Sequence, residues 1–122
     1  MKTCELTGPA LDWAVAKALD IEVLVFAGRY VVLKPDPQVY SCVVFAPSLN
    51  WAQGGPITER EGIYIWPDAT ASGYLAFVRV AGKMQHRCAG ATPLIAAMRC
   101  ATHAVLGEEV EIPENLFQNE NS

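Results

Sequence analysis

Thr92-Pro93-Leu94-Ile95-Ala96-Ala97-Met98-Arg99-Cys100-Ala101-Thr102-His103-Ala104-Val105-Leu106-Gly107 is the stretch that decides the fold. Thr92 offers a side-chain oxygen to the orphan N–H groups of a first helical turn. Pro93 stands where its missing N–H is not needed, and Gly107 follows the last periodic residue, where a helix commonly stops. At about 100° per residue, Leu94, Ile95, Met98, Ala101, Thr102 and Val105 form one stripe, and Arg99, Cys100 and His103 fall away from it. The stretch predicts a helix over 93–106 with a second face turned to water or a partner.

Working outward, Ile63-Tyr64-Ile65-Trp66, ended by Pro67-Asp68, and the alternating run Tyr74 to Val80 predict two strands of one hairpin. His86-x-Cys88 reads as lying on the connection that leads into the helix. Upstream, Asn50 can cap a turn of helix with Gln53 reaching back as its capping-box partner. Gly54 and Gly55 interrupt that turn, and Pro56 opens a second short helix over 56–61, stopped by Gly62. From Ile21 to Ala46 the β-branched and aromatic runs Val23 to Phe26, Tyr30 to Leu33 and Tyr40 to Phe45 predict three strands, with turn signals at Ala27-Gly28 and Pro35-Asp36-Pro37. These runs are apolar throughout, which suits strands covered on both faces or tucked under helices. Near the start, Thr7 can cap a helix over 8–19 that has Pro9 in its first turn and Leu11, Ala14, Val15, Ala18 and Leu19 on one stripe. The elements describe a single α+β domain over 1–113, followed by a frayed acidic tail over 114–122.

The chain has 122 residues, 52% of them apolar and 18% charged, against roughly 25% charged in an average soluble protein. A chain of this length buries about two-thirds of its unfolded surface, so most of it folds. The best membrane candidate, Ile21 to Leu33, falls short of the roughly 18 residues a span needs and is broken by Glu22 and Arg29. Glu5 and Asp12 stand where a secretory peptide would be apolar, so a cytoplasmic protein is expected. Cys4, Cys42, Cys88 and Cys100 are widely spaced with no Cys-x-x-Cys, and in that compartment they read as reduced thiols without structural disulfides. The net charge of −4 gathers in residues 108–122, which hold Glu108, Glu109, Glu111, Glu114 and Glu120 and no base. Ala69 to Gly107 contains no acid but has Arg79, Lys83, Arg87 and Arg99. Scattered bases on solvated faces are the favoured reading, and nucleic acid is disfavoured as a partner.

Few residues combine into chemistry. His86, Cys88, Cys100 and His103 are ligand types that suit tetrahedral zinc, but their spacing matches no standard zinc motif, and no metal is assigned. Cys100 with His103, or Cys88 with His86, lacks a third group to orient a base, so no catalytic residue and no cofactor is assigned. Gly54-Gly55 is too short for a phosphate-binding loop and reads as a turn that admits close backbone packing. Glu59 and Glu61 face different directions and are not an acid/base pair. Of the tryptophans, Trp66 reads as core, whereas Trp51 lies between a cap and a Gly-Gly-Pro segment, where an aromatic can anchor an interface. Two candidate contact surfaces result. One is formed by Asn50, Trp51, Gln53, Gly54, Gly55, Glu59 and Arg60, and the other by the helix face with Arg99 and His103; self-association as a homodimer through one of them is an expected mode.

Three long segments carry a family resemblance: Leu6 to Ala16, Asn50 to Ile63 with its Gln53-Gly54-Gly55-Pro56 core, and Thr92 to Cys100. Together they resemble the NinX-like family of lambdoid phages and enterobacterial prophages, and the likeness continues through Leu106 to Pro113. The central and late blocks are also similar to small phage α-β-α sandwich domains. The resemblance implies such a sandwich, with helices 8–19, 56–61 and 93–106 on a mostly antiparallel sheet. It also implies a phage accessory gene expressed in the host cytoplasm, with no assigned activity. Where the family pattern tends to read Tyr-Ser-Pro-Ser-Thr-Asp-Trp, this chain has Phe45-Ala46-Pro47-Ser48-Leu49-Asn50-Trp51. If chemistry in that loop rested on the replaced Tyr, Ser, Thr or Asp, it is missing here, while Asn50 still caps nearly as well as Asp. The expected function is binding of a host or phage protein; a small-ligand or nucleotide-sequestering module, or a minor enzyme, is the alternative.

Overall fold

In a computed structural model, residues 2–21, 23–26, 29–32, 45–69 and 72–112 are described. The predicted helix over 93–106 is present as α3 (Pro93–Leu106), and it is the axis of the molecule. Thr92 caps it by accepting from the Ile95 N–H at 3.1 Å, and Gly107 ends it at φ +87°, backbone that glycine enters without steric penalty. The first helix, α1 (Gly8–Ala18), matches the prediction. Thr7 precedes it in extended backbone, but its side chain makes no capping bond. One of the two N–H groups it would cap belongs to Pro9, which has none.

The middle of the chain departs from expectation. Local signals predict a turn and a separate helix over 56–61, but one helix, α2 (Trp51–Arg60), runs through Gly54, Gly55 and Pro56. Asn50 caps it by accepting from the Ala52 N–H at 2.9 Å. Pro56 removes one hydrogen bond from the second turn, and two glycines weaken the helix further. Packing overrides both, because Ile57 is buried in the main core and Gly54 lies against α3.

A hairpin pairs β1 (Val23–Phe26) with β2 (Arg29–Val32). The third strand expected nearby, Tyr40 to Phe45, lies mostly outside the described residues, as does the acidic tail over 114–122. A second sheet contains the predicted hairpin β3 (Tyr64–Pro67) and β4 (Tyr74–Val80), and adds β5 (Lys83–Gly90) in the antiparallel order β3-β4-β5. Sequence reading took part of β5 for a connection because Lys83-Met84-Gln85-His86-Arg87 has neither β-branched residues nor apolar alternation. The missed signal was the two-residue turn Ala81-Gly82, at φ +53° and +80°, the backbone that tight hairpins require at both positions.

Among the described residues the result is a small mixed α+β domain of three α-helices with an antiparallel three-stranded sheet and the β1–β2 hairpin. Helix α3 is buried on two sides, which corrects the expectation that its second face meets water or a partner. Met98, Ala97 and Ala101 join Leu6, Leu11, Val15 and Ile57 in the main core, while Ala96 and Cys100 pack with Ala76 and Val78 of β4. The small side chains along α3 allow both neighbours to approach closely, a feature that a one-stripe reading of the helix does not capture.

One buried ion tests this core. Asp12 of α1 accepts from the Ser48 N–H at 2.9 Å. Burial pushes its carboxyl above the usual range, and the Ser48 bond partly opposes that rise. A carboxyl whose pKa is raised on folding binds more protons folded than unfolded between the two values. Stability therefore falls as pH rises from about 4 through the folded value, and is flat above it. Asp12→Asn keeps the acceptor and removes the charge. It is expected to be at least as stable as the parent at pH 7 and to lack that falling segment in urea midpoints measured across pH.

Candidate functional site

Three elements converge at one end of α3. A single 3-10 turn (Thr3–Glu5) is fastened to the end of the helix, with the Thr3 hydroxyl donating to the Gly107 carbonyl at 2.6 Å and the Thr3 N–H to the Glu108 carbonyl at 2.8 Å. Lys2 and Glu109 form an antiparallel bridge beside it. Arg99 clamps the same turn to the sheet: its Nε donates to the Leu6 carbonyl and a terminal guanidinium nitrogen to the Ala89 carbonyl, each at 2.7 Å. Between these parts lies an open cavity of about 280 Å³ lined by Lys2, Cys4, His103, Glu108 and Glu109.

Cys4 is joined to Cys88 of β5 by a disulfide, with Cα atoms 5.4 Å apart. This corrects the expectation of reduced thiols without structural disulfides. The two residues are 84 positions apart, and only the packing of the N-terminal turn against the edge of the sheet makes them neighbours. Among the described residues Cys100 remains a free thiol, and burial pushes its pKa up to about 12. A thiol so disfavoured as thiolate is no nucleophile at neutral pH.

The zinc set considered from sequence therefore splits. His86 and His103 come together, their Nδ1 atoms 2.9 Å apart, whereas Cys100 is fully buried in the contact of α3 with β4. His86 reaches α3 because β5 bulges there. Ala76 pairs with Cys88 and Val78 with Gln85, leaving His86 and Arg87 opposite Phe77, and His86 adopts φ +56°. Among the described residues no group of three or more His, Cys, Asp or Glu side chains is placed to hold a metal ion.

The other predicted contact residues take mixed roles. Trp51 is 55% exposed at the start of α2, beside Leu49 at 75%. Glu59 and Arg60 are exposed, with Arg60 3.5 Å from Glu61. Asn50 and Gln53 serve the backbone, Gln53 Oε1 accepting from the Ala46 N–H at 2.7 Å. Gly54 is buried, Gly55 half-buried beneath Trp51. Arg99 is a clamp rather than a contact residue, and burial lowers its pKa against the opposing charge of Glu5.

Sequence reading missed the outer face of the sheet. Trp66 was expected in the core, yet it is 59% exposed, and Met84 is 57% exposed on the same face. Alternation places Tyr64, Trp66, Phe77, Arg79 and Met84 together there, opposite the face that α3 covers. Tyr64 stacks on Phe77 with centroids 5.3 Å apart, and the Arg79 guanidinium carbon lies 5.8 Å from the Tyr64 ring centre.

A family model described as Bacteriophage P22, NinX matches residues 2–103. The chain belongs to this family. The match spans every element described so far except the end of α3 and the segment after it, so the NinX-family domain includes the disulfide, the paired histidines and the outer sheet face. No curated protein matches the chain. Membership makes it a phage accessory protein. Among the described residues no helix is long and apolar enough to cross a membrane.

Proposed function

We propose that this NinX-family protein is a non-catalytic interaction module that binds a host or phage protein in the cytoplasm of the infected cell. The observation that carries the reading is the outer sheet face, where Tyr64, Trp66 and Met84 stay exposed beside Arg79. Aromatic, Met and Arg side chains are those enriched at the centres of protein interfaces, and exposing them without a partner is unfavourable. Trp51 and Leu49 offer a second exposed apolar site of the kind expected from sequence. Neither the inert Cys100 nor the clamped Arg99 supports a catalytic role.

The cavity beside His103 supports the alternative of a small polar ligand. It is lined by Lys2, Glu108 and Glu109, but its volume lies just under the usual range of about 300–1,000 Å³ for ligand sites.

The test captures proteins from infected and uninfected host lysate on the immobilised chain, then rebinds the retained species in purified form. Trp66→Ala is expected to weaken that purified interaction by about 30-fold or more, the effect of losing a central aromatic anchor. Equal binding by Trp66→Ala and Trp51→Ala would reject both surfaces. If no protein rebinds but small polar ligands raise the melting temperature in proportion to their concentration, the alternative replaces the first reading. Sedimentation of the chain alone over a range of concentrations reports whether the partner is a second copy.

A further inference from the structure

We propose that the Cys4–Cys88 disulfide is a thiol-exchange site, at which a small aminothiol enters the cavity at the end of α3 and forms a mixed disulfide with Cys4, leaving Cys88 as a free thiol. The two cysteines are bonded across 84 positions of sequence, and they differ in access. Cys88 is 2% exposed and does not line the cavity, whereas Cys4 is half-buried and does. Exchange begins when a thiolate reaches one sulfur of the bond, so access decides which sulfur is attacked. Here the open space of about 280 Å³ leads to Cys4.

The lining sets the class of thiol. Two carboxylates, Glu108 and Glu109, stand there against the single ammonium of Lys2. A cleft with that balance concentrates cations and repels anions, which favours a thiol carrying an ammonium group over one carrying a carboxylate. Two tethers keep the pair in place once the bond opens. Thr3 fastens the turn bearing Cys4 to the Gly107 and Glu108 carbonyls. Arg99 ties the Leu6 carbonyl to the Ala89 carbonyl, two residues after Cys4 and one after Cys88. Cys88 therefore stays beside Cys4, and closure remains an intramolecular step with a high effective concentration. Cys100 takes no part, because it is fully buried and burial pushes its thiol up to about 12, leaving little thiolate to intercept the exchange.

The step needs no oxidant or reductant beyond the thiol itself. The aminothiol, as thiolate, forms a new S–S bond to Cys4 Sγ. The Cys4–Cys88 bond breaks, its electron pair leaves on Cys88 Sγ, and that sulfur takes a proton from water. One disulfide is consumed and one is made. In the reverse direction the Cys88 thiolate attacks Cys4 Sγ and expels the aminothiol. The site uses no residue of the outer sheet face; it gives the small-ligand alternative a chemical class and rests on the same cavity.

The experiment exposes the full oxidised chain to cysteamine, quenches with N-ethylmaleimide and maps the adducts by mass spectrometry. The expected product carries cysteamine on Cys4 and N-ethylmaleimide on Cys88. Cysteamine, uncharged 2-mercaptoethanol and 3-mercaptopropionate are then compared, each rate divided by that of the same thiol with a small uncharged disulfide. The rates should fall in that order by about threefold or more per step, the scale of one exposed charge contact. Replacing both Glu108 and Glu109 by Gln should remove the cysteamine advantage and leave 2-mercaptoethanol unchanged. With cystamine as donor, Cys88→Ser should form the mixed disulfide on Cys4. Cys88 in Cys4→Ser should react about 100-fold more slowly, since it is reached only by local opening; circular dichroism confirms that both variants are folded. A purified chain with Cys4 and Cys88 both free in air, adducts on Cys88 as often as on Cys4, or equal rates for the three thiols would overturn the proposal. S-methylcysteamine, which cannot exchange, separates the two readings: if it raises the melting temperature while no adduct forms on Cys4, the cavity binds a ligand and the exchange site is rejected.

Discussion

Gly54→Ala is expected to destabilise the protein by about 2–3 kcal/mol, whereas Gly55→Ala, one position along the same helix, is expected to stabilise it by about 0.5–1 kcal/mol. Both changes replace the weakest ordinary helix former with the strongest, so propensity alone predicts the same gain for each. The surroundings reverse one of them. A Cβ on Gly54 would lie 2.4 Å from the Pro47 carbonyl oxygen and 2.5 Å from Leu94 Cδ2 of α3, and the first of these is backbone that cannot rotate away. A Cβ on Gly55 meets only the Trp51 ring, at 3.8 Å. Urea denaturation of the two variants, compared at constant m, measures the difference. Gains of similar size would show that α2 is not seated against α3 and Pro47 as described.

Arg99→Ala is the second large effect, with an expected loss of about 2–3 kcal/mol from two hydrogen bonds donated by a charged group. The guanidinium joins two carbonyls that are far apart in sequence, Leu6 before α1 and Ala89 in β5, at 2.7 Å each. Arg99→Lys should recover little of this loss, because an ammonium at the end of a flexible stem does not reproduce the planar fork. Denaturation midpoints should be taken both with the Cys4–Cys88 bond intact and after its reduction. The loss should be larger when reduced, since the clamp then holds the turn to the sheet without covalent help. A variant as stable as the parent in both states would return Arg99 to the role of a surface contact.

The helices were legible wherever a cap, a proline and a stripe agreed. Thr92, Pro93 and Gly107 bounded α3 to within a residue, and Pro9 with the Leu11 to Ala18 stripe placed α1. Gly54, Gly55 and Pro56 each argue locally against a helix, and only the close approach of Gly54 to Pro47 and α3 shows why one runs through them. The strand β5 was illegible for a related reason. Edge strands need polar outer residues, which erase the alternation that marks a strand in sequence.

The candidate sites divided in the same way. Asn50 as a cap followed from neighbours a few positions away, and the structure places it as expected, whereas the sequence left Trp51 open between core and surface and the structure exposes it. Cys100 and Arg99 were assigned to an outward face because a helical wheel knows one partner, whereas α3 has core on one side and sheet on the other. Trp66 was read as core because its strand is apolar, but it lies on the sheet face opposite α3 and is 59% exposed, although Phe77 on the same face is buried.

The sequence by itself determined the α+β class and the limits of α1 and α3, since capping, proline placement and apolar periodicity act over a few residues and need no knowledge of the rest of the chain; the family followed separately, from the resemblance carried by three long segments. Tertiary structure alone decided that Cys4 meets Cys88, that His86 meets His103 through a bulge, and that Arg99 is a clamp. Each of those contacts joins segments brought together by the packing of α3 against its neighbours, and no local rule encodes the distance between them.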